Sequence, residues 1–213
     1  MRKKEPIILI GGGGHCISCI DIIEQGGEFE ILGILDLPEK VGQKILGYTI
    51  IGTDNELKSF LPECSNFLIT IGQIDSYKLR EKKLNEVIEA GGNLPVIISP
   101  LAYVSKHAEI AEGTIIMHKA LVNAGAKIGK ACIINTKALI EHEAEIGDFS
   151  HVSTCSIANG QVQVGKGCFI GSNTVIGNNT SVTDNVVIAA GSQVLKNIKL
   201  PGIYIGNPLR KIR

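Results

Sequence analysis

The sequence has no long apolar run and no excess of charge of either sign. It carries 21 acidic and 21 basic residues among 213, so its formal net charge is zero. Without a basic excess, a nucleic-acid partner is not expected. The apolar run Ile7-Ile-Leu-Ile10 is far too short to span a membrane, and no secretory signal is visible. The composition favours a cytoplasmic enzyme with room for two domains.

Complete metal-binding patterns are also missing. Cys16 and Cys19 form a single CxxC without a second pair, which is a weak signal for redox or metal chemistry. We therefore interpret both cysteines as buried packing residues. A catalytic zinc needs three converging ligands, whereas His142 and His151 are nine residues apart and no close histidine pair is present. We expect no metal.

What the sequence does contain is an aliphatic residue at every sixth position for about ninety residues. Of the sixteen positions counted by sixes from Val104 to Val194, fifteen are Val or Ile, although these two types make up only 47 of the 213 residues. Two positions before each lies a mostly small residue, from Ala102 to Ser192. A period of six is neither helical nor strand-like and is typical of a hexapeptide parallel β-helix.

This repeat predicts the geometry of the second domain. Three short strands make a coil of eighteen residues, so the stretch holds about five coils stacked roughly 4.8 Å apart. Cys132 and Cys168 then lie two coils apart, about 9–10 Å, which is beyond disulfide reach. Hexapeptide proteins, which this stretch resembles, coil in the left-handed sense. We expect turn glycines with unusual dihedral angles directly after the aliphatic position, at Gly129, Gly147, Gly165, Gly171 and Gly177.

The first hundred residues predict a separate, Rossmann-like parallel sheet. The predicted strands are Ile7–Ile10, Glu30–Leu35, Phe67–Ile71 and Pro95–Ile98. The predicted helices begin after the glycine loop, at Thr53 or Asp54, and at Ser76, and their apolar residues are Ile17, Ile20 and Ile23, then Leu57, Phe60 and Leu61, then Leu79, Leu84, Val87 and Ile88. The junction Ser99-Pro100 divides the chain into predicted domains at 1–99 and 100–213.

The glycine run after the first strand points to a phosphate-binding loop. Gly11, Gly13 and Gly14 allow a phosphate to approach the backbone, and the following helix begins with unpaired N–H groups. Asp36 ends the second strand, where it can accept a hydrogen bond from a ribose hydroxyl. A dinucleotide fingerprint needs glycine at Cys16, so we predict a nucleotide or nucleotide-sugar site. A glycine turn without a ligand is the alternative.

The loop from Gly11 to His15, followed by a hexapeptide domain, resembles the NeuD/PglD-type sugar acyltransferases. The segment from Asn135 to His151 is similar to the active-site segment of that family. The resemblance implies an acetyl-CoA-dependent homotrimer with each active site between neighbouring β-helices. It implies that His142 is the catalytic base and that Glu143 supports it. It also implies that Asn135 and His151 line the site.

The residue types suit this chemistry. Acetyl transfer requires removal of the acceptor's proton while the acceptor attacks the thioester, and histidine ordinarily titrates in the right range. A neighbouring carboxylate fixes the tautomer of the imidazole and stabilises its charged form. Glu141 and Glu145 also lie close to His142 in the sequence, so they remain alternatives to Glu143.

The remaining site predictions concern the two substrates. His15 contacts the nucleotide-sugar phosphates or caps the loop, and the predicted acceptor-binding residues are Gly11, Gly13, Gly14, His15, Asp36, Gly72 and Asn135. The predicted donor-binding residues are His151, Gly160, Ala190, Lys196 and Arg210. From Asn185 to the end there are five basic residues and no acidic one, which suits the phosphates of coenzyme A. The terminal Gly206-Asn-Pro208-Leu-Arg210 departs from the Gly-x-Pro-Ala-Lys ending found in the family.

These observations predict an N-acetyltransferase that acts on the amine of a nucleotide-linked 4-amino-4-deoxy sugar. Transfer is direct, because Cys155 has no visible supporting base nearby and no covalent intermediate is needed. O-acetylation of sialic acid or a related sugar is the alternative reaction. A trimeric assembly protein without catalytic activity is the alternative of a different class.

Overall fold

A computed structural model describes residues 4–213. The chain divides into two compact units: the described residues up to Gly72 together with Lys78–Pro100, and Gln73–Tyr77 together with Leu101–Arg213. No helix in the described range is long and apolar enough to cross a membrane.

The first unit is a Rossmann-like parallel sheet with helices, as predicted, but the sheet has five strands where the sequence indicated four. Its strands are β1 (Glu5–Ile10), β2 (Phe29–Leu35), β3 (Lys44–Ile45), β4 (Tyr48–Gly52) and β5 (Asn66–Ile69). Its helices are α1 (Gly14–Gly26), α2 (Leu57–Phe60) and α3 (Lys78–Ala90), with 3-10 turns at Pro38–Lys40 and Asp54–Glu56. The order is β3-β4-β2-β1-β5, parallel except for β3. The β3–β4 hairpin was not predicted.

The strand predicted at Pro95–Ile98 is wrong as a member of this sheet. Only Ile97–Ile98 (β6) is extended, and it is not among the five strands. Parallel pairing beside β5 does begin, since Asn93 bridges to Asn66 and accepts a hydrogen bond from the Phe67 N–H. It goes no further because Pro95 has no N–H to donate.

The predicted helix faces were partly wrong. Ile20 and Ile23 of α1 and Leu84 and Val87 of α3 are buried as expected. Ile17, Leu79 and Ile88 are exposed instead. In α3 the buried positions include Arg80, which donates to the carbonyls of Ile69 and Ile71 at the end of β5. Periodicity missed it because a long cation buried against carbonyls looks polar in a sequence. Thr53, rather than Asp54, forms the capping box with Glu56.

The second unit is a left-handed parallel β-helix, as predicted. Its two- to four-residue strands are β7 (Tyr103–Val104), β8 (Glu109–Ile110), β9 (Ile115–Ile116), β10 (Leu121–Val122), β11 (Lys127–Ile128), β12 (Ile133–Ile134), β13 (Leu139–Ile140), β14 (Glu145–Ile146), β15 (His151–Val152), β16 (Ile157–Ala158), β17 (Gln163–Val164), β18 (Phe169–Ile170), β19 (Val175–Ile176), β20 (Ser181–Val182), β21 (Val186–Ile188), β22 (Gln193–Val194), β23 (Gly202–Ile205) and β24 (Arg210–Lys211).

From β7 to β22 every third strand pairs in parallel and in register, and β23 follows β21 on the third face, which builds three faces. Face 1 holds β7, β10, β13, β16, β19 and β22; face 2 holds β8, β11, β14, β17 and β20. Face 3 holds β9, β12, β15, β18, β21 and β23, with β24 antiparallel at its end. Leu139 therefore pairs with both Leu121 and Ile157, each eighteen residues away. We call the turns between faces corner 1/2, corner 2/3 and corner 3/1.

The aliphatic column fills the interior as the period of six predicted. From Ile116 to Val194 its members are at most 4% exposed, whereas Val104 and Ile110 in the first coil are half-buried. Burying one such side chain contributes about 1.5–3 kcal/mol. The column is therefore the main source of stability in the second unit.

The small column also supplies hydrogen-bond donors. Ser150 Oγ donates to the Gly165 carbonyl at 2.8 Å, and Cys168 Sγ donates to the Thr183 carbonyl at 3.2 Å. Buried carbonyls at tight corners need such partners. Cys132 and Cys168 are free thiols, as predicted, and burial raises the pKa of Cys168 to about 11.

The reason expected for the turn glycines is wrong. Left-handed dihedrals occur three positions after the aliphatic residue, as at Glu143 (φ 56°) and Phe149 (φ 57°), and not directly after it. Gly147 is needed for close approach instead, because a Cβ there would lie 2.6 Å from the Gly165 carbonyl carbon of the next coil. Gly177 is less constrained, since its nearest neighbour would be 3.5 Å away.

We predict that Gly147→Ala lowers the free energy of unfolding by about 1–3 kcal/mol, because the added methyl forces two coils apart. Gly177→Ala is the matched control and should change stability by less than about 1 kcal/mol. Thermal and urea unfolding at one fixed protein concentration measure both. Equal losses for the two variants would contradict close coil contact at Gly147.

Candidate active site

His142 and Glu143 lie side by side at corner 1/2, in the turn from β13 to β14. His142 Nδ1 is 3.4 Å from Glu143 Oε2. The two side chains are 55% and 61% exposed, so they are accessible from solvent in the single chain. The left-handed backbone at Glu143 gives the turn its sharp reversal. The corner therefore presents an imidazole and a carboxylate together.

Residues of the adjacent coils hold this pair. Gln161 Nε2 donates to Glu143 Oε2 at 3.1 Å, the same oxygen that faces His142 Nδ1. Asn123 Nδ2 donates to Glu141 Oε2 at 2.9 Å, and the His142 N–H donates to that oxygen at 3.1 Å. Glu141 thus holds the backbone of the turn, and Glu143 is the carboxylate beside the ring.

The third nearby carboxylate faces elsewhere. Glu145 Oε1 lies 3.6 Å from Lys127 Nζ on face 2. Of the three carboxylates close in sequence, Glu143 therefore has the geometry expected of the histidine's partner.

The ring of His142 lies over Gly160. A Cβ at Gly160 would be 2.5 Å from His142 Nε2 and 2.6 Å from Cε1. Asn178 and Lys196 continue this corner at intervals of eighteen residues. Lys196 is three coils from His142, about 14 Å at roughly 4.8 Å per coil. Two of the predicted donor-binding residues, Gly160 and Lys196, thus share a corner with His142.

Asn135 and His151 form a second group. Asn135 is at corner 3/1, and His151 points outward from face 3, where it is 8% exposed. Asn135 Nδ2 is 3.0 Å from His151 Nε2. Ala190 is also at corner 3/1, and Arg210 is exposed in β24. Within one chain, therefore, these four residues do not share the corner of His142.

A groove of about 520 Å³ lies beside Lys196, at the C-terminal end of the β-helix. Its lining includes Leu195, Lys196, Lys199, Leu200 and Tyr204, but not Arg210. It combines apolar walls with two cations. A groove of about 860 Å³ along face 2 contains none of the predicted site residues.

The glycine loop of the first unit has glycines of two kinds. Gly11 (φ 102°) and Gly12 are required by the fold, since a Cβ would meet Ile71 at the former and Ile45 and Asp36 at the latter. Gly13 and Gly14 have nothing within 4 Å of the Cβ position. Gly13 caps α1 without a side-chain hydrogen bond. The loop thus leaves open space at the start of α1.

Asp36 is tied to this loop. Its Oδ2 accepts from the Gly12 N–H at 2.7 Å and from Lys40 Nζ at 3.0 Å, and its Oδ1 accepts from the Leu37 N–H at 2.7 Å. Burial alone would raise the pKa of Asp36, but these hydrogen bonds outweigh it and the pKa is lowered. Asp36 therefore holds the loop in shape, and its contact with a ribose stays a prediction.

The other predicted residues of this unit lie near the loop. The Cβ position of Gly72 is 3.6 Å from the His15 Cβ, so these two residues are neighbours. Cys16 and Cys19 are buried on α1, where burial raises the pKa of Cys16 to about 11 and that of Cys19 further. No group of three metal-ligating side chains occurs between residues 4 and 213.

The sequence held signals for some residues that we did not predict. Gln161 lies eighteen residues after Glu143, so the repeat itself places it one coil away. Lys40 follows Asp36 by four residues, the spacing of an ion pair in a helical turn. Gln73, whose carbonyl lies 2.8 Å from His151 Nδ1, had no sequence signal.

Each of the two units matches a known protein family. Residues 6–87 match the family model of the PglD N-terminal domain. Residues 95–201, half of the chain, belong to the family described as the GMPPB C-terminal domain. The chain belongs to the NeuD/PglD-type sugar acetyltransferase family. The family that the sequence resembles is thereby confirmed, whereas the roles of the residues between Asn135 and His151 stay predictions.

Solved structures of this family are similar over the whole chain. A histidine-to-asparagine mutant of perosamine N-acetyltransferase from Caulobacter crescentus, in complex with CoA and GDP-perosamine, is 26% identical with a TM-score of 0.91, covering 100% of this chain and 98% of that one. The acetyltransferase domain of PglB from Neisseria gonorrhoeae is 27% identical with a TM-score of 0.91, covering 98% and 100%.

A curated relative is matched over a shorter stretch. An uncharacterised protein of Acanthamoeba polyphaga mimivirus is 35% identical over 112 residues, or 52% of this chain. The chain spans about a fifth of the length of that relative, since the match covers 21% of it.

We predict that Asp36→Asn destabilises the protein by about 1–2 kcal/mol at pH 7, because hydrogen bonds to a charged carboxylate are lost. The folded-state pKa of Asp36 is lowered, so its contribution is complete above the unfolded-state pKa of about 3.9, declines below that value, and is lost as the pH falls through the lower folded-state pKa. The difference from the natural protein should therefore shrink towards pH 3.

Urea unfolding at pH 7 and pH 3 measures this difference. Glu39→Gln, in the neighbouring 3-10 turn, is the matched control because its side chain is exposed, and it should change stability by less than about 0.5 kcal/mol. A loss for Asp36→Asn that is the same at both pH values would contradict the role of the carboxylate charge.

Proposed function

We propose that the protein transfers the acetyl group of acetyl-CoA to the amine of a nucleotide-linked 4-amino-4-deoxy sugar. The observation that carries the proposal is the His142–Glu143 pair at an accessible corner of the β-helix. Glu143 Oε2 faces His142 Nδ1 at 3.4 Å, and a carboxylate at Nδ1 favours the tautomer with the proton there. Nε2 is then the basic nitrogen, as a general base requires.

The reaction is a direct displacement. The amine nitrogen of the sugar attacks the thioester carbonyl, and a C–N bond forms while His142 Nε2 takes the amine proton. The tetrahedral intermediate then collapses, the C–S bond breaks, and the proton passes to the leaving thiolate of coenzyme A. Glu143, held by Gln161, stabilises the imidazolium between these steps. The products are the N-acetylated sugar and free coenzyme A.

We assign the donor to corner 1/2, between His142 and the groove near Lys196. Gly160 leaves room beside the ring, and the cations Lys196 and Lys199 line the groove. These charges suit the phosphates of coenzyme A. CoA is bound in the structure of the Caulobacter crescentus relative, which supports a coenzyme A thioester as the donor.

We assign the nucleotide of the acceptor to the glycine loop. The open space at Gly13 and Gly14 adjoins the first N–H groups of α1, and such groups bind phosphate oxygens well. His15 and Gly72 lie beside the loop. The Caulobacter crescentus relative holds GDP-perosamine, a nucleotide-linked sugar.

We propose that the active form is a homotrimer in which neighbouring β-helices complete the site. Face 1 carries an outward row of apolar residues next to the corner of His142, namely Tyr103, Leu121, Leu139, Ile157 and Val175. A continuous apolar row on a β-helix face is suited to contact with another copy. In a trimer, corner 1/2 of one chain can meet the Asn135–His151 group of the next, which a single chain keeps apart.

We predict that His142→Ala lowers turnover by about 10²–10⁴-fold, because general-base catalysis is lost. Thiol release from acetyl-CoA measures the rate against UDP- and GDP-linked 4-amino sugars and free sialic acid. His107→Ala, an exposed histidine two coils away, is the matched control and should keep full activity. The melting temperature and the mass of the assembly should be the same in both variants.

The acceptor panel separates the candidate reactions. Release with one nucleotide amino sugar that His142→Ala abolishes supports the proposal and identifies the acceptor. Release with sialic acid alone would show that the reaction is O-acetylation. It would also contradict the proposal that the glycine loop of the first unit binds a nucleotide. No release with any acceptor would favour a non-catalytic assembly protein.

We predict that Gly160→Ala lowers turnover by about 10–100-fold while stability changes little, because the new methyl displaces the imidazole by close to an ångström. Gly177→Ala, at the same corner but with space for a Cβ, is the control and should retain activity. Steady-state kinetics and thermal unfolding measure the two effects. Full activity of Gly160→Ala would show that the ring position in the structure is not the reactive one.

A further inference from the structure

The segment Gln73–Tyr77, here called the strap, belongs to the second unit although it lies between β5 and α3 in the sequence. Tyr77 stacks on Phe149, with ring centroids 5.6 Å apart and planes at 27°. Lys166 Nζ lies over both rings, 5.1 Å from the Tyr77 centroid and 5.3 Å from that of Phe149. The strap is therefore anchored at corner 2/3 by one aromatic side chain.

The backbone of Gly167 completes the anchor. A Cβ on Gly167 would collide with the Tyr77 ring, so the ring packs directly on the backbone of this turn. Gln73 lies at the other end of the strap. The Gln73 side chain is 5% exposed, yet neither atom of its amide has a hydrogen-bond partner in the part of the chain that the structure describes.

Gln73 acts through its main chain instead. Its carbonyl oxygen is 2.8 Å from His151 Nδ1. The His151 ring is buried and packs edge-on against Phe169, with centroids 5.2 Å apart. A carbonyl oxygen only accepts hydrogen bonds, so Nδ1 of His151 must carry a proton.

The other ring nitrogen is constrained independently. Asn135 Oδ1 accepts from the Thr136 N–H at 2.7 Å, which fixes the orientation of the Asn135 amide. Its Nδ2 therefore faces His151 Nε2 at 3.0 Å and can only donate. Nε2 must be the unprotonated nitrogen. Both neighbours thus select the same neutral tautomer, and protonation of Nε2 would set two N–H groups against each other.

We propose that the strap positions the Asn135–His151 pair. Tyr77 holds the strap, the Gln73 carbonyl fixes His151 as the Nδ1–H tautomer, and His151 Nε2 orients the Asn135 amide. The second amide hydrogen of Asn135 is then left to donate to a carbonyl oxygen of the acyl donor. The positioning role stands on the contacts within the second unit. Its effect on catalysis rests on the proposed function, in which this pair lines the active site.

The test compares variants that release the strap with one that keeps it. Tyr77→Ala removes the ring. Gly167→Ala displaces the ring and leaves the sequence of the strap unchanged. An alanine is tolerated in the same left-handed turn geometry at Ala131 (φ 48°). Tyr77→Phe keeps the stacked ring and is the matched control. Melting temperatures confirm that each variant is folded, and two independent releasing variants protect the test if one fails to fold.

The first readout is the protonation of the His151 ring, by nitrogen NMR of protein labelled with ¹⁵N-histidine at pH 8. The signals are assigned from their loss in His151→Gln. We expect a single Nδ1–H tautomer in the natural protein and in Tyr77→Phe, and a mixture of tautomers in both releasing variants. An unchanged tautomer in Tyr77→Ala, or an equal change in Tyr77→Phe, would overturn the proposal.

The second readout is the kinetics of acetyl transfer. Loss of one hydrogen bond in the network should raise the KM for acetyl-CoA about tenfold in the releasing variants, with kcat changed less than about twofold. Unchanged KM values with a changed tautomer would overturn the catalytic part of the proposal alone. The NMR readout needs no turnover, so it tests the strap even if the proposed acetyl transfer fails.

Discussion

The in-register stacking of eighteen-residue coils is the constraint on which the second unit depends. Each residue lies beside those eighteen positions before and after it, at the spacing of neighbouring strands. This stacking buries the aliphatic column and brings corner backbones into contact. Gly147 must be a glycine at that contact, because a Cβ there would collide with the carbonyl carbon of Gly165 in the next coil. The same contact allows Ser150 and Cys168 to satisfy corner carbonyls from inside.

The candidate active site uses this stacking a second time. Glu143 is held by Gln161 and Glu141 by Asn123, each from an adjacent coil. Gly160 lies under the imidazole of His142 and leaves it room. A single exposed turn could not orient a histidine so well, because its side chains would sample many rotamers in water. Three stacked turns restrict them, and such preorganisation is what proton transfer at one ring nitrogen requires.

The first unit positions its candidate site differently. No repeat supports the glycine loop, so a single carboxylate, Asp36, gathers the N–H groups of Gly12 and Leu37 and the ammonium of Lys40. A side chain at Gly11 or Gly12 would collide with neighbouring residues, whereas Gly13 and Gly14 border open space. The first two glycines are therefore required for folding, and the last two are free to contact a phosphate. The sequence alone does not show this difference, because all four residues are glycine.

The sequence by itself determined the β-helix, the aliphatic interior, the parallel sheet and the corner that carries His142. These features follow from the pattern of apolar residues along the chain. That pattern shows which positions are buried without showing which residues they contact. Only the tertiary structure decided which carboxylate faces His142, why Gly147 and Gly160 are glycines, and that the Gln73 carbonyl meets His151. Such contacts join residues whose separation follows no period or involve a backbone atom that every residue shares. Hydrogen bonds depend on distances of tenths of an ångström, and only the folded chain sets those.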